Sequence, residues 1–171
     1  MNTKRIVCAI DIDGTLCDSS NAARHLPLLP WGDWDPWRGA IRDGSFNRPG
    51  FPAILGAYAG VQALIDAEAT ILLVTRRDDE LRHPTREWVA RNFPQLEAHG
   101  YGLLMGPAGC FRLPAKMRQA QLAEIAEHFR DARLFWIDDR PNPDLIDLAR
   151  WLYFTAPQDW PRLVEWLPEG R

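Results

Sequence analysis

Five short apolar runs punctuate this chain and leave little freedom in how it folds: Ile6–Ile10, Thr70–Thr75, Tyr101–Met105, Leu134–Ile137 and Trp151–Phe154. Most are continuous rather than alternating and rich in branched residues, the pattern of strands covered on both faces. Segments with apolar residues at helical spacing separate them. These are Tyr58–Ala67 (Val61, Leu64, Ile65), His83–Arg91 (Trp88, Val89) and Ala115–Phe129 (Leu122, Ile125, Ala126, Phe129). Phe93-Pro94 is expected to end the second of these. Asn142-Pro143 opens a further helix to about Arg150, and Pro161–Trp166 forms a short closing one. Strand and helix alternating five times predict an α/β domain whose five-stranded parallel sheet carries helices on both faces.

At 171 residues the chain is long enough for one domain with a sizeable core. A content of 46% hydrophobic and 25% charged residues is ordinary for a globular protein. The net charge of −3 excludes a broad electrostatic footprint for nucleic acid but leaves room for a local basic patch. No run approaches membrane-spanning length and the N-terminus leads directly into the first strand, so a cytoplasmic protein with no membrane partner is expected. The cysteines Cys8, Cys17 and Cys110 are an odd, sparse set, and Cys8 reads as a core thiol. Residues 17–51 differ from the rest, with Pro27, Pro30, Pro36 and Pro49 and a tryptophan every third residue at Trp31, Trp34 and Trp37. Asp35-Pro36 has the form of an N-cap followed by proline at the first position of a short helix to Arg42. The segment is read as a small insertion covering one end of the domain, too short for a core of its own.

In open α/β sheets ligands bind beyond the C-terminal ends of the strands, and the polar residues of this sequence collect there. Asp11 and Asp13 follow the first strand, on the same side by strand periodicity, with Gly14 letting the chain turn. Thr75 and Arg76-Arg77 follow the second strand, Gly106-Pro107-Ala108-Gly109 the third, and Asp138-Asp139 the fourth. Lys116, one of only two lysines in an otherwise arginine-based chain, opens the helix after the third. Hard oxygen ligands without His or Cys suit Mg²⁺ rather than zinc. A hydroxyl, a lysine and spare backbone N–H groups are what a phosphate oxyanion asks for. Metal-assisted phosphoryl transfer with a carboxylate nucleophile is the chemistry this implies. Taken singly, each motif has a plainer meaning: an Asp-Gly turn closing a strand, and a polar turn with a local ion pair at Asp138-Asp139-Arg140-Pro141.

Together these residues resemble the four motifs of the haloacid dehalogenase (HAD) superfamily: Asp-x-Asp-Gly-Thr from Asp11 to Thr15, the strand-end hydroxyl Thr75, the basic residue Lys116 and the acidic pair Asp138-Asp139. The resemblance runs over nearly the whole chain. It implies a Rossmann-like HAD fold, a single hydrolase domain over residues 1–171 with residues 17–51 as a small cap, and Mg²⁺ as cofactor. By that resemblance Asp11 is the nucleophile that forms an aspartyl-phosphate, and Asp13 protonates the leaving oxygen and then activates water. Thr75 and Lys116 hold the phosphoryl oxygens, beside Gly14 and Thr15. The metal is held by Asp11, the Asp13 backbone carbonyl and the acidic pair, Asp139 more directly than Asp138. The acid at Asp13 argues against dehalogenation, since dehalogenating members lack it.

A closer similarity is to the 3'-phosphatase domain of polynucleotide kinases and its free-standing phage and bacterial relatives. Asp33-Trp34-Asp35, the stretch Arg82 to Val89 and the stretch Met105 to Gly109 carry it. The kinase half is absent, as no G-x-x-x-x-G-K-[ST] motif occurs. Mitochondrial-type 5'(3')-deoxyribonucleotidases share the Asp138-Asp139-Arg140-Pro141 ending and are the near alternative. Relatives typically read Thr-Gly-Arg where this chain has Thr75-Arg76-Arg77. They often carry an Arg and an acid where Gly106 and Cys110 stand, and the segment from there to Lys116 is shorter by a residue or two. The implied function is a Mg²⁺-dependent phosphomonoesterase acting on a nucleotide or a nucleic-acid 3'-phosphate. Arg76, Arg77, Arg82 and Arg112 are the expected contacts to further phosphates. A small-molecule nucleotidase and a non-catalytic binding protein on the same fold are the other readings. The oligomeric state is not specified.

Overall fold

A computed structural model describes residues 5–18, 51–107, 114–140 and 150–167, with the side chains of the third stretch described from residue 117. Most of the insertion, Cys110, Arg112, the Lys116 side chain and the helix expected from Asn142 lie outside the described residues. The described chain gives β1 (Ile6–Ile10), α1 (Ala57–Asp66), β2 (Thr70–Asp78), a 3₁₀ turn (Asp79–Leu81), α2 (Arg82–Asn92), α3 (Pro94–His99) and β3 (Gly102–Gly106). There follow α4 (Pro114–His128), β4 (Arg133–Asp138), β5 (Trp151–Thr155) and α5 (Trp160–Trp166).

All five strands are parallel, in the order β3-β2-β1-β4-β5. The five expected strands are therefore the five observed, and β1 is the central one. Ile10 lies level with Leu73 on one side and Ile137 on the other, so β1 and β4 end within a residue of each other while β2 runs on beside them to Asp78. The chain runs outward from β1 through β2 to β3, then returns to β4. That reversal creates a crevice at the strands' C-terminal ends.

The apolar runs alternate their side chains between two cores. Ile6, Cys8 and Ile10 face a cluster with Val61 and Leu64 of α1, Trp88 and Val89 of α2, Leu96 of α3 and Leu163 of α5. Val7, Ala9, Val74, Leu134 and Trp136 face Leu122 and Ile125 of α4. Every residue of β1 is buried. No described helix is long and apolar enough to cross a membrane.

Two elements depart from the sequence-based expectation. Pro94 does not merely end α2: it stands in the first turn of a further helix, α3, where its missing N–H costs nothing. β2 continues past Thr75 to Asp78, and its register with β3 slips between Val74 and Asp78. A bulge of this kind re-aims side chains near sites, and here it falls on Thr75, Arg76 and Arg77.

α1 crosses α5 at Gly60, where an added Cβ would run into the Trp160 ring. Alanine in a helix is ordinarily preferred to glycine by about 1 kcal/mol. The clash with a rigid, buried ring costs about 1–3 kcal/mol and sets the sign. Gly60→Ala is accordingly expected to lower the unfolding free energy, and urea denaturation of the two proteins checks it.

Candidate active site

The site begins where β1 ends. The Asp11 N–H donates to the Ile137 carbonyl (2.9 Å), extending the β1–β4 ladder to the first carboxylate. The chain then wraps tightly, with the Ile12 carbonyl accepting from the N–H groups of Leu16 and Cys17, both at 2.9 Å. Ile12 and Leu16 are buried in the core and pin this loop. Gly14 has φ +89°, and a Cβ there would come within 2.5 Å of Asp139 Oδ2. Glycine thus serves both the turn and the approach of the second acidic motif. The Thr15 hydroxyl is buried and has no partner among the described residues.

Asp11 is 6% exposed. Its Oδ1 accepts from Arg118 Nη2, while Nη1 of the same guanidinium donates to the Val74 carbonyl. Arg118 Nη2 also lies 3.6 Å from Asp138 Oδ2. One buried arginine from α4 therefore touches Asp11, the edge of β2 and the neighbourhood of Asp138. The Asp11 carboxyl is pushed up to about 7, chiefly by burial, with Arg118 pulling it down and Asp138 and Asp13 adding to the rise. Burial works against the charge on Arg118 as well, but Asp11 and Asp138 more than offset this and hold it charged.

Sequence reasoning placed the cation at Lys116 and missed Arg118. Lys116 lies in the first turn of α4, and its side chain is outside the described residues. A sequence signal for Arg118 did exist. Arg118 lies two positions past Lys116, in a chain whose cations are nearly all arginines.

Asp13 sits in a different environment. Arg77 Nε donates to Asp13 Oδ2 (2.9 Å), and Arg77 Nη2 donates to Oδ1 (2.7 Å). Arg77 Nη1 donates to the buried Thr85 hydroxyl on α2 at 3.0 Å. Expected among the substrate contacts, Arg77 is instead 1% exposed and turned onto Asp13. Strand alternation explains the split between neighbours. Thr75 and Arg77 point inward, whereas Arg76 is exposed and helps to lower the pKa of Asp139. The Thr75 hydroxyl, buried at the β2 end, accepts from the Arg77 N–H at 3.2 Å, which leaves its own proton available. Arg82 is held by Asp79 (2.8 Å from Nε) and the Leu103 carbonyl (3.1 Å), on the β3 side.

The acidic pair after β4 divides. Asp138 is buried, with Trp136 Nε1 on Oδ2 (3.2 Å) and the Arg140 N–H on Oδ1 (2.9 Å). Asp139 is more open, with Arg140 Nε 3.4 Å from Oδ2. Burial raises both carboxyls above their ordinary range. Asp11, Asp138 and Asp139 each offer an oxygen, all within 4.8 Å of one another. Three hard oxygen donors in that space, all pushed up despite the arginines beside them, suit a further cation of the Mg²⁺ type. The Asp13 carboxylate is not among them; the contact expected of Asp13 runs through its backbone carbonyl.

The fold is similar to that of solved hydrolases, among them a haloacid dehalogenase-like family hydrolase from Xanthomonas campestris with a TM-score of 0.52 at 13% identity, over 97% of this chain and 93% of that one. A class C acid phosphatase from Bacillus anthracis with tungstate bound superposes with a TM-score of 0.57 at 17% identity, over 93% of this chain and 70% of that one. A hydrolase from Streptococcus pneumoniae gives 0.57 at 15% identity, over 95% of this chain and 100% of that one. A chain of the Pnkp1/Rnl/Hen1 complex, also solved as an RNA repair complex, gives 0.54 at 17% identity over 91% of this chain. The present chain spans about half of that larger one, 47%. Comparison of the sequence with protein-family models and with curated proteins returns no match.

Removing one partner from a buried charge cluster costs about 3–5 kcal/mol, because the remaining charge is left uncompensated. Arg118→Met is expected to destabilise the protein by that amount, read by chemical denaturation. Unchanged stability would show that the guanidinium does not hold the cluster together.

Proposed function

We propose that the chain is a Mg²⁺-dependent phosphomonoester hydrolase of the HAD type. The observation that carries this reading is the pair of carboxylates one residue apart, Asp11 against Arg118 and Asp13 against Arg77. Two acids given separate counter-charges are suited to separate tasks. The Asp11 carboxylate attacks phosphorus and the bond to the leaving oxygen breaks, giving an aspartyl-phosphate; Asp13 supplies the proton that the leaving oxygen takes up. Asp13 then takes a proton from water as the water attacks phosphorus, which restores Asp11 and frees inorganic phosphate. Arg118 offsets charge at Asp11, and Thr75, Thr15 and the backbone about Gly14 receive the phosphoryl oxygens. Lys116 is proposed as a further phosphate contact.

Asp11 and Asp139, with the Asp13 carbonyl, are the groups proposed to hold Mg²⁺. Asp138, whose oxygens already take the indole and backbone N–H groups, stands behind them. The ion supplies charge neutralisation of the phosphoryl group when bound.

A nucleotide or nucleic-acid 3'-phosphate is the proposed substrate. The similarity to polynucleotide kinase 3'-phosphatases and the fold likeness to a chain of an RNA repair complex support it. So do the exposed guanidinium groups of Arg76 and Arg140 beside Asp139, which offer cations for neighbouring phosphates. Arg82 and Arg112 are proposed as more distant contacts of the same kind.

Phosphate release from 3'-phosphorylated oligonucleotides, nucleoside monophosphates and para-nitrophenyl phosphate, with Mg²⁺ and with chelator, tests the reading. Expected are Mg²⁺-dependent turnover and a preference for the oligonucleotide; preference for mononucleotides would favour a nucleotidase. Asp11→Asn should lower kcat by about 10⁴-fold or more, as loss of a nucleophile does. Full activity in that variant would sink the mechanism. Binding of Mg²⁺ without turnover of any ester would favour a non-catalytic protein. Asp139→Asn is expected to raise the Mg²⁺ concentration needed for half-maximal activity by at least about tenfold.

A further inference from the structure

Arg77 is a buried charged group, 1% exposed, that the phosphoryl chemistry does not directly employ. Its guanidinium is fully enclosed and spent in three directions: Nε and Nη2 on the two oxygens of Asp13, Nη1 on Thr85 Oγ1. Thr85 is itself completely buried, on the first turns of α2. A planar fork on a carboxylate fixes the plane of that carboxylate as well as its position. Anchored from behind by Thr85, the fork cannot swing away.

We propose that Arg77 and Thr85 form a positioning brace for proton transfer by Asp13, and that it governs which leaving groups the enzyme handles well. This rests on the hydrolase reading above. When the bond from phosphorus to the leaving oxygen breaks, Asp13 gives that oxygen its proton and becomes a carboxylate; the proton later returns from the attacking water. The brace holds the carboxyl plane so that the remaining oxygen lone pairs point outward from the fork, and it compensates the charge left behind. An alkoxide leaving group, as in a nucleotide 3'-phosphate, needs that proton. A para-nitrophenolate, a weak base, leaves nearly as well without it. Arg77 touches neither phosphorus nor its oxygens in this scheme, so its contribution should scale with the basicity of the leaving group.

The test is kcat/KM, which reports every step through departure of the leaving group, for para-nitrophenyl phosphate, phenyl phosphate and a 3'-phosphorylated nucleoside. These are measured in wild type, Arg77→Lys and Thr85→Val, each first shown to be folded by thermal denaturation. Arg77→Lys keeps the charge and loses the planar fork; Thr85→Val keeps the fork and loses its rear anchor. Expected is a loss on the nucleoside phosphate at least about tenfold greater than on para-nitrophenyl phosphate for Arg77→Lys, within the range general acid catalysis supplies. A smaller loss of the same pattern is expected for Thr85→Val. In an Asp13→Asn background, Arg77→Lys should add little further loss. Equal losses on all three esters, or additivity with Asp13→Asn, would overturn the brace while leaving the hydrolase reading intact. Wild-type protein that turns over none of the esters would overturn both.

Discussion

The arrangement depends on how buried carboxylates are kept tolerable. Asp11 and Asp138 lie at the ends of adjacent strands, nearly out of contact with water. There the repulsion between them is screened far less than at a surface. The Arg118 guanidinium between them is therefore not an accessory of the site but a condition for folding it. It also binds the Val74 carbonyl, so the same group that balances the acids fixes α4 against β2. Charge compensation and tertiary placement are one interaction.

β1 makes this possible because it is the middle strand and has neighbours on both sides. β2 brings Thr75 and Arg77 from one side; β4 brings Asp138 and Asp139 from the other. Because β2 runs on past Thr75, its alternation keeps Thr75 and Arg77 buried while Arg76 faces solvent. Asp11 and Asp13 are only two residues apart, yet α4 serves one and β2 with α2 the other. A tight loop closed by Ile12 and Leu16 separates their environments.

Most of the fold was legible because continuous apolar runs and helical spacing are local properties. All five strands, and α1, α2, α4 and α5 to within a residue or two, could be read directly. α3 was not, because Pro94 signals both an end and a beginning and only the packing of Leu96 decides between them. The acids at the rim were visible because strand ends converge in any sheet of this kind. The partners of those acids were not. Which of Arg76 and Arg77 turns inward depends on how far β2 runs past Thr75, and that Arg118 reaches Asp11 depends on the pitch of a helix whose start the sequence leaves loose. Spacing along a chain locates backbone well, but it locates the tip of a long cationic side chain poorly.

Among the described residues, both cations that meet the two catalytic candidates are arginines, and a guanidinium does not give up its proton under conditions that proteins survive. A lysine in either place could lose its charge when desolvated, and would then be able to trade protons with the acid beside it. Arg118 and Arg77 cannot do so. Among the described residues the positive side of this electrostatic frame is thus constant, and a proton that moves between them is carried by a carboxyl, a hydroxyl or water. Fixed cations beside movable protons confine the bookkeeping of the chemistry to Asp11, Asp13 and whatever enters the crevice with them.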